Sequence, residues 1–211
     1  MKKHITLIAG FILMFASSSL SAQDKANDYV KQLAQSINKH NSIEVGFTYQ
    51  FVSGTDEDGA DDIYAGEVLE GRAYFQGASF RVLMDGTLNI SDGKTQWAYF
   101  PDVNEVMVGD ASDEDNPVKI LAGLEKECSA GTLGNDEQGN LVVELYDGEG
   151  FPMGLVLKFS KKGDFKGLVK RTGQESLILN VTDIKYDQNY KQGFFTFDKK
   201  AYPNVEVIDM R

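Results

Sequence analysis

The chain has 211 residues, enough for one domain or at most two and for a core that covers well over half of its unfolded surface. Apolar residues make up 42% and charged residues 25%, with 21 glycines and 4 prolines, which excludes collagen-like, disulfide-stapled and wholly disordered classes. Against 21 lysines and arginines stand 32 acids, a formal charge of −11, the wrong sign for neutralising nucleic-acid phosphates or adsorbing to anionic membranes.

Lys2 and Lys3 precede an uncharged run from Ile5 to Phe15, followed by small residues up to Ala22. This is the pattern of a secretory signal peptide over residues 1–22, cut after Ala22 or after Ser21, and the apolar run is shorter than the roughly 20 residues of a bilayer span. Loss of Lys2 and Lys3 would leave 19 basic against 32 acidic residues, a charge of −13. No cysteine lies near the cleavage region to be acylated.

Beyond Gln23, Ala26, Tyr29, Val30, Leu33, Ala34 and Ile37 recur at helical spacing, predicting an amphipathic helix from Asp24 to about Asn38. The period then changes to two: Ile43, Val45, Phe47, Tyr49 and Phe51 share one face of a long half-buried strand. An acidic hairpin loop, Ser53 to Asp62, leads to a second strand from about Ala65 to Gln76, expected to pair with the first. Short strands follow at Ser79 to Met84, Leu88 to Ser91, Thr95 to Phe100 and Glu105 to Val108, an antiparallel meander punctuated by Asp85-Gly86, Asp92-Gly93 and Pro101-Asp102. Asn116 caps a short helix that has Pro117 at its first position, and further strands are expected at Leu141 to Tyr146, Leu155 to Phe159, Phe165 to Arg171, Leu177 to Tyr186 and Phe194 to Phe197. With no repeat and no long linker, residues 23–211 form a single domain.

Catalytic chemistry finds no foothold. Past the leader the one histidine is His40, in a polar segment with no nucleophile near it in sequence, and Cys128 has neither a second thiol nor a local histidine. The acidic run from Asp56 to Asp62 fails the calcium-loop pattern, since Ala60 stands where an oxygen ligand belongs and Asp61 where glycine does. Gly148 to Gly154 has one residue too many for a dinucleotide fingerprint and reads as a turn. No catalytic residue, metal ligand or cofactor is assigned. What stands out is apolar: Phe47, Tyr49, Phe51, Leu69, Tyr74, Phe75, Phe80, Trp97, Tyr99 and Phe100 lie on neighbouring strands with few helices to cover them. Such a sheet buries its face either in a closed core or around an apolar ligand.

The stretch Ser91-Asp92-Gly93-Lys94-Thr95-Gln96-Trp97-Ala98-Tyr99-Phe100-Pro101 resembles the characteristic S-D-G-K-x-x-W-x-Y-x-P segment of the periplasmic outer-membrane lipoprotein carriers, the LolA type. The flanks agree in order: Phe47-Thr48, Gly66 and Gly71, Phe80-Arg81, then Asn116 to Ala122 as a lid helix and Phe195-Thr196-Phe197 near the end. The resemblance implies an unclosed antiparallel half-barrel of about 11 strands, mainly β, covered by the N-terminal helix and the lid helix and enclosing an apolar cavity. It further implies a periplasmic, monomeric, non-enzymatic carrier that moves acylated lipoproteins from an inner-membrane lipoprotein-releasing ABC transporter to the outer membrane, with an acceptor there as a further partner. A lipid-sensing or envelope-signalling protein on the same half-barrel is the alternative, and a secreted hydrolase a distant third.

On this reading the acyl-chain cavity is lined by Val45, Phe47, Tyr49, Phe51, Leu69, Phe75, Phe80, Trp97 and Tyr99, and the lid is held by Val118, Ile120, Leu121 and Leu124. Two departures from the resemblance stand out. Gln76-Gly77-Ala78 replaces a basic pair whose arginine is credited with holding the lid, and Lys199-Lys200 stand where proline is usual. The lid is therefore expected to rest on apolar contacts, with none of Arg72, Arg81 and Arg171 reaching its carbonyls.

Overall fold

The computed structural model describes residues 6–55, 62–112 and 116–211, with side chains from residue 23 onward except residues 55 and 62–64. The expected helix is part of a longer one: α1 runs Thr6–Lys39, through the expected cleavage point. Along its second half Ala26, Tyr29, Val30 and Ala34 are buried while Asp24, Asp28 and Lys31 face solvent, as the sequence periodicity requires. Among the described residues no helix is long and apolar enough to cross a membrane.

Among the described residues thirteen strands follow: β1 (Ile43–Thr55), β2 (Asp62–Ala65), β3 (Leu69–Gln76), β4 (Ser79–Met84), β5 (Thr87–Ser91), β6 (Thr95–Phe100), β7 (Glu105–Asp110), β8 (Ser129–Asn135), β9 (Leu141–Tyr146), β10 (Pro152–Phe159), β11 (Phe165–Thr172), β12 (Glu175–Tyr186) and β13 (Glu206–Asp209). A second helix, α2 (Pro117–Glu127), joins β7 to β8. All thirteen strands form one sheet in the order β13-β7-β6-β5-β4-β3-β1-β12-β11-β10-β9-β8, with β2 paired to β1. Every pairing is antiparallel except β13 with β7, and β8 and β13 end the sheet without meeting.

The sheet is mainly β, open and unclosed, and its curvature follows from its connection. Ten strand spacings separate β7 from β8, about 48 Å in a flat sheet. The 19 steps from Asp110 to Ser129, 11 residues of them helical, reach only about 45 Å when fully drawn out. The sheet has to curl for α2 to cross its face.

Several expectations are corrected. The second strand is two strands, β2 and β3, separated at Gly66-Glu67-Val68. Strand β8 escapes the pattern because Ser129-Ala130-Gly131-Thr132-Leu133-Gly134-Asn135 has low β propensity; Gly131 is needed there because a Cβ would lie 2.9 Å from the Tyr146 ring. Phe194 to Phe197 is not a strand. Its aromatics imitate one, but the backbone turns, with Phe194 N–H on Lys191 O and Thr196 N–H on Gly193 O. The tip of the acidic hairpin loop, 56–61, and the end of the acidic loop before α2, 113–115, lie outside the described residues.

One register row carries the core. Val143, Leu157, Leu168, Leu179, Tyr49 and Leu69 are successive cross-strand partners over β9, β10, β11, β12, β1 and β3, so all point to one face. Over the β8 to β11 half, α1 and α2 bury Ala130, Val143, Leu145, Leu157 and Phe159 beneath Ala26, Tyr29, Val30 and Leu124. Around β1 a second cluster packs Ile43, Phe47, Tyr49, Ala73, Phe75 and Phe80, with Ile37 of α1 and Val118 of α2 against it. Gln23 and Asn27 fix α1 over β8, the first donating to Ala130 O and the second accepting from Ala130 N–H.

The strand β11 bends at Gly167, whose φ is +148° and whose added Cβ would lie 2.1 Å from the Leu179 carbonyl oxygen. Gly167→Ala is therefore expected to cost at least about 2 kcal/mol, since backbone on the neighbouring strand must shift; chemical denaturation read by circular dichroism measures it.

Candidate functional site

The apolar face does not continue across the whole sheet. Ile43, Phe75 and Phe80 are followed in register by Ser91, Gln96 and Gly109, and Ala73 and Val82 by Asn89 and Ala98. From β5 to β7 Leu88, Ile90, Trp97, Tyr99, Val106 and Val108 point the other way, in the rows of Arg72 and Tyr74, while Phe100 and Met107 keep the parity of Ala98. Trp97 and Tyr99 thus stand on the opposite face from Phe47 and Tyr49. Period-two alternation fixes which residues of a strand share a face, but pairing alone decides how the faces of two strands match.

The remaining expected residues separate by depth. Phe47, Tyr49, Phe75 and Phe80 are 2 to 6% exposed and packed into the second cluster, with Leu69 and Val45 half-buried beside them. Phe51, farther along β1, is 56% exposed. Where α1 and α2 leave the sheet, an open cleft of about 490 Å³ separates them from β1, β11 and β12. Its apolar wall is Leu33, Ile37, Ile43, Val45, Val118 and Leu121; Lys162 and Lys166 stand at its edge. Of the nine expected cavity residues only Val45 lines this cleft. The cleft residues on α1 and β12 were not assigned from sequence, although the apolar stripe through Leu33 and Ile37 was the available signal.

Helix α2, the expected lid, is held as its chemistry permits. Val118 packs on the β1 cluster, Leu121 and Leu124 on the α1 cluster, and Ile120 is 46% exposed, so it is removed from the expected set of lid contacts. Asn116, buried, caps the helix: its Oδ1 accepts from Val118 N–H at 3.1 Å and Lys119 N–H at 3.3 Å, while its Nδ2 donates to Ala78 O at 3.3 Å. That last bond joins the lid to the β3–β4 turn, where the resemblance would place a basic pair. No arginine does this work among the described residues: Arg72 holds Glu44 and Asp183, Arg171 holds Glu144, and Arg81 donates to Phe194 O. Gly77 in that turn has φ +58°, a conformation in which an arginine side chain would be strained.

Several polar groups near the cleft are paired. At its mouth His40 Nδ1 lies 2.8 Å from Asp187 and its ring stacks on Tyr186 at 4.0 Å; the Asp187 carboxyl is held below its usual range chiefly by His40. On the far face Glu44 accepts from Lys185 at 2.9 Å and Arg72 at 2.6 Å, which lowers its carboxyl pKa against the opposing effect of burial. Cys128 donates to Leu124 O at 2.8 Å, and burial pushes its thiol up. The Tyr49 hydroxyl is buried with no hydrogen-bond partner among the described residues, and no group of metal-ligating side chains occurs among them. This arrangement has walls suited to hydrocarbon.

No protein-family model matches the chain. Over the whole of both sequences it is 26% identical to an outer-membrane lipoprotein carrier protein of Psychromonas ingrahamii. In fold it is similar to an uncharacterized conserved protein from Thermus thermophilus, with TM-score 0.51 and 13% identity over 88% of this chain and 99% of that one. A LolA superfamily protein from Nitrosomonas europaea aligns at TM-score 0.38 and 13% identity, over 82% of this chain and 98% of that one. The Psychromonas ingrahamii relative is named as a carrier, the class that the Ser91 to Pro101 segment resembles, and the similarity to it extends along the whole chain.

Asn116→Ala removes the cap and the bond to Ala78 together and is expected to destabilise by about 1–2 kcal/mol; Asn116→Ser keeps a cap and loses only that bond, so it should cost less, about 0.5–1 kcal/mol, while speeding hydrogen exchange along α2. A second expectation concerns pH. Because the Glu44 pKa is lower in the folded protein than the unfolded value of about 4.3, its contribution is complete above that value and is lost as pH falls through the folded one. Thermal unfolding scans from pH 6 to pH 3 should show Glu44→Gln with a shallower acid loss than the parent chain.

Proposed function

We infer that the protein is a periplasmic carrier that receives the acyl chains of lipoproteins between its two helices and the apolar face of the sheet, and moves them from the inner to the outer membrane. The observation that carries this reading is the cleft: an opening of about 490 Å³ with an apolar wall, leading to an apolar face that only α1 and α2 cover. The relative from Psychromonas ingrahamii, similar over its full length, supports a lipoprotein as the cargo. An ABC transporter that releases lipoproteins and an outer-membrane acceptor are the partners this route requires. Residues 1–22 act as the export signal, and the chain works as a monomer.

Loading needs no covalent chemistry. Each methylene moved out of water contributes about 0.8 kcal/mol, so a long chain fully enclosed would be held by on the order of 10 kcal/mol and released slowly. A partly open cleft buries less, which suits delivery to a better acceptor. Movement of α2 breaks the Asn116 to Ala78 bond and exposes Val118, Leu121 and Leu124; with no arginine on its carbonyls, it opens at lower cost than a lid so clamped. In the open state Val45, Phe47, Tyr49, Leu69, Phe75 and Phe80 would meet the acyl chains.

The test is the formation of a soluble one-to-one complex between residues 23–211 and a triacylated lipoprotein, followed by release to outer-membrane vesicles. Val45→Glu puts a carboxylate in the half-buried cleft wall and is expected to abolish the complex while the circular dichroism of the sheet persists. Phe47→Glu is expected to unfold the protein instead, since that ring is 4% exposed and lies against Gly71. Failure to solubilise any acylated protein defeats the reading, and lipid binding with retention of one stable protein partner points to sensing.

A further inference from the structure

The face opposite the cleft carries a second pocket. After β12 the chain turns back across the sheet from Asp187 to Val205 and lays its aromatics on Tyr74 and Tyr99: Phe194 meets Tyr74 at 5.1 Å, and Tyr202 and Phe197 meet Tyr99 at 4.4 and 5.7 Å. Between this segment and β3 to β6 lies a pocket of about 430 Å³, walled by Tyr74, Leu83, Leu88, Tyr99, Phe194 and Tyr202, with Arg81 the one charged side chain lining it.

Arg81 is what makes the pocket more than a packing gap. Its guanidinium donates to Phe194 O at 3.2 Å and stands 5.3 Å from the Phe194 ring centre. No ion pair is formed by it among the described residues, in a chain with 32 acids, whereas Arg72 and Arg171 both hold carboxylates. A guanidinium is always charged and carries five N–H donors, of which the carbonyl takes one. Half-burying such a charge among aromatic walls costs free energy that an anion would return.

We propose that this pocket on the outer face binds a small aromatic carboxylate, its acid on Arg81 and its ring against the aromatic wall of Tyr99, Phe194 and Tyr202. The volume is in the range of small-molecule pockets, with an aromatic and aliphatic lining and Arg81 as its charged anchor. The site is separated from the cleft by the sheet, so it is independent of the carrier reading. A structural strut would need only the carbonyl bond; an anion site needs the unpaired charge and the space beside it, and both are present.

The probe is 3-phenylpropionate, titrated into the full chain and followed by the fluorescence of Trp97, the sole tryptophan and a neighbour of Tyr99 on β6, and by backbone amide shifts. Saturable binding is expected, with 3-phenylpropanol, which lacks the charge, at least about tenfold weaker. Arg81→Gln should weaken the acid about tenfold and remove its preference over the alcohol. Should that variant lose the C-terminal segment, Leu83→Glu, at a position 45% exposed on the same wall, supplies an internal acid for Arg81 and is expected to block the probe while the fold remains. Equal binding of acid and alcohol, no saturation, or unchanged affinity in both variants overturns the proposal. Tighter binding of a peptide ending in phenylalanine than of the free acid overturns the assignment to a small molecule.

Discussion

The apolar row from Val143 through Leu157, Leu168, Leu179 and Tyr49 to Leu69 is the feature to which the other parts answer. Six strands present it on one face, and an open sheet cannot leave that much hydrocarbon in water. Curling brings the row under α1, and the crossing of α2 from β7 to β8 closes it from the other side. Edge strands, lid and cleft are consequences of covering this row with two helices instead of a second sheet.

Incomplete cover is what gives the fold a use. Where α1 and α2 part from β12, the cover fails and an apolar wall faces a gap; elsewhere the same wall is solid core. The boundary between the two is set by a few contacts on α2, chiefly Val118, Leu121, Leu124 and the Asn116 bond to Ala78. On the carrier reading, α2 held mainly by apolar contacts would yield to an apolar guest, because the guest replaces what the helix gives up.

At the β4–β5 turn the sheet changes its apolar side. Asp85 and Gly86, both at positive φ, make a two-residue turn that pairs Met84 with Thr87 and so points Leu88 and Ile90 away from Phe80. From there the apolar side chains need a second cover, which the C-terminal segment supplies with Phe194, Phe197 and Tyr202. One sheet thus serves two separate apolar layers, which lets each face carry its own pocket.

Local pattern in the sequence was enough to determine the amphipathic second half of α1, the alternation along β1, the Asp-Gly turns and the Asn116-Pro117 start of α2. Those features depend on residues a few positions apart, within reach of periodicity and capping rules. Strand β8 stayed hidden because two of its seven residues are glycine, one of them, Gly131, making room for the Tyr146 ring, and the aromatic run at Phe194 imitated a strand because packing and β propensity favour the same residues. Only the tertiary structure decided that Trp97 and Tyr99 turn their backs on Phe47 and Tyr49, that Ile120 faces outward, and that the cleft opens beside Val45 and not beside Phe80. Each of these is a matter of register or of which helix covers which strand, and a shift of one residue in pairing moves a whole row to the other face without changing a letter of the sequence.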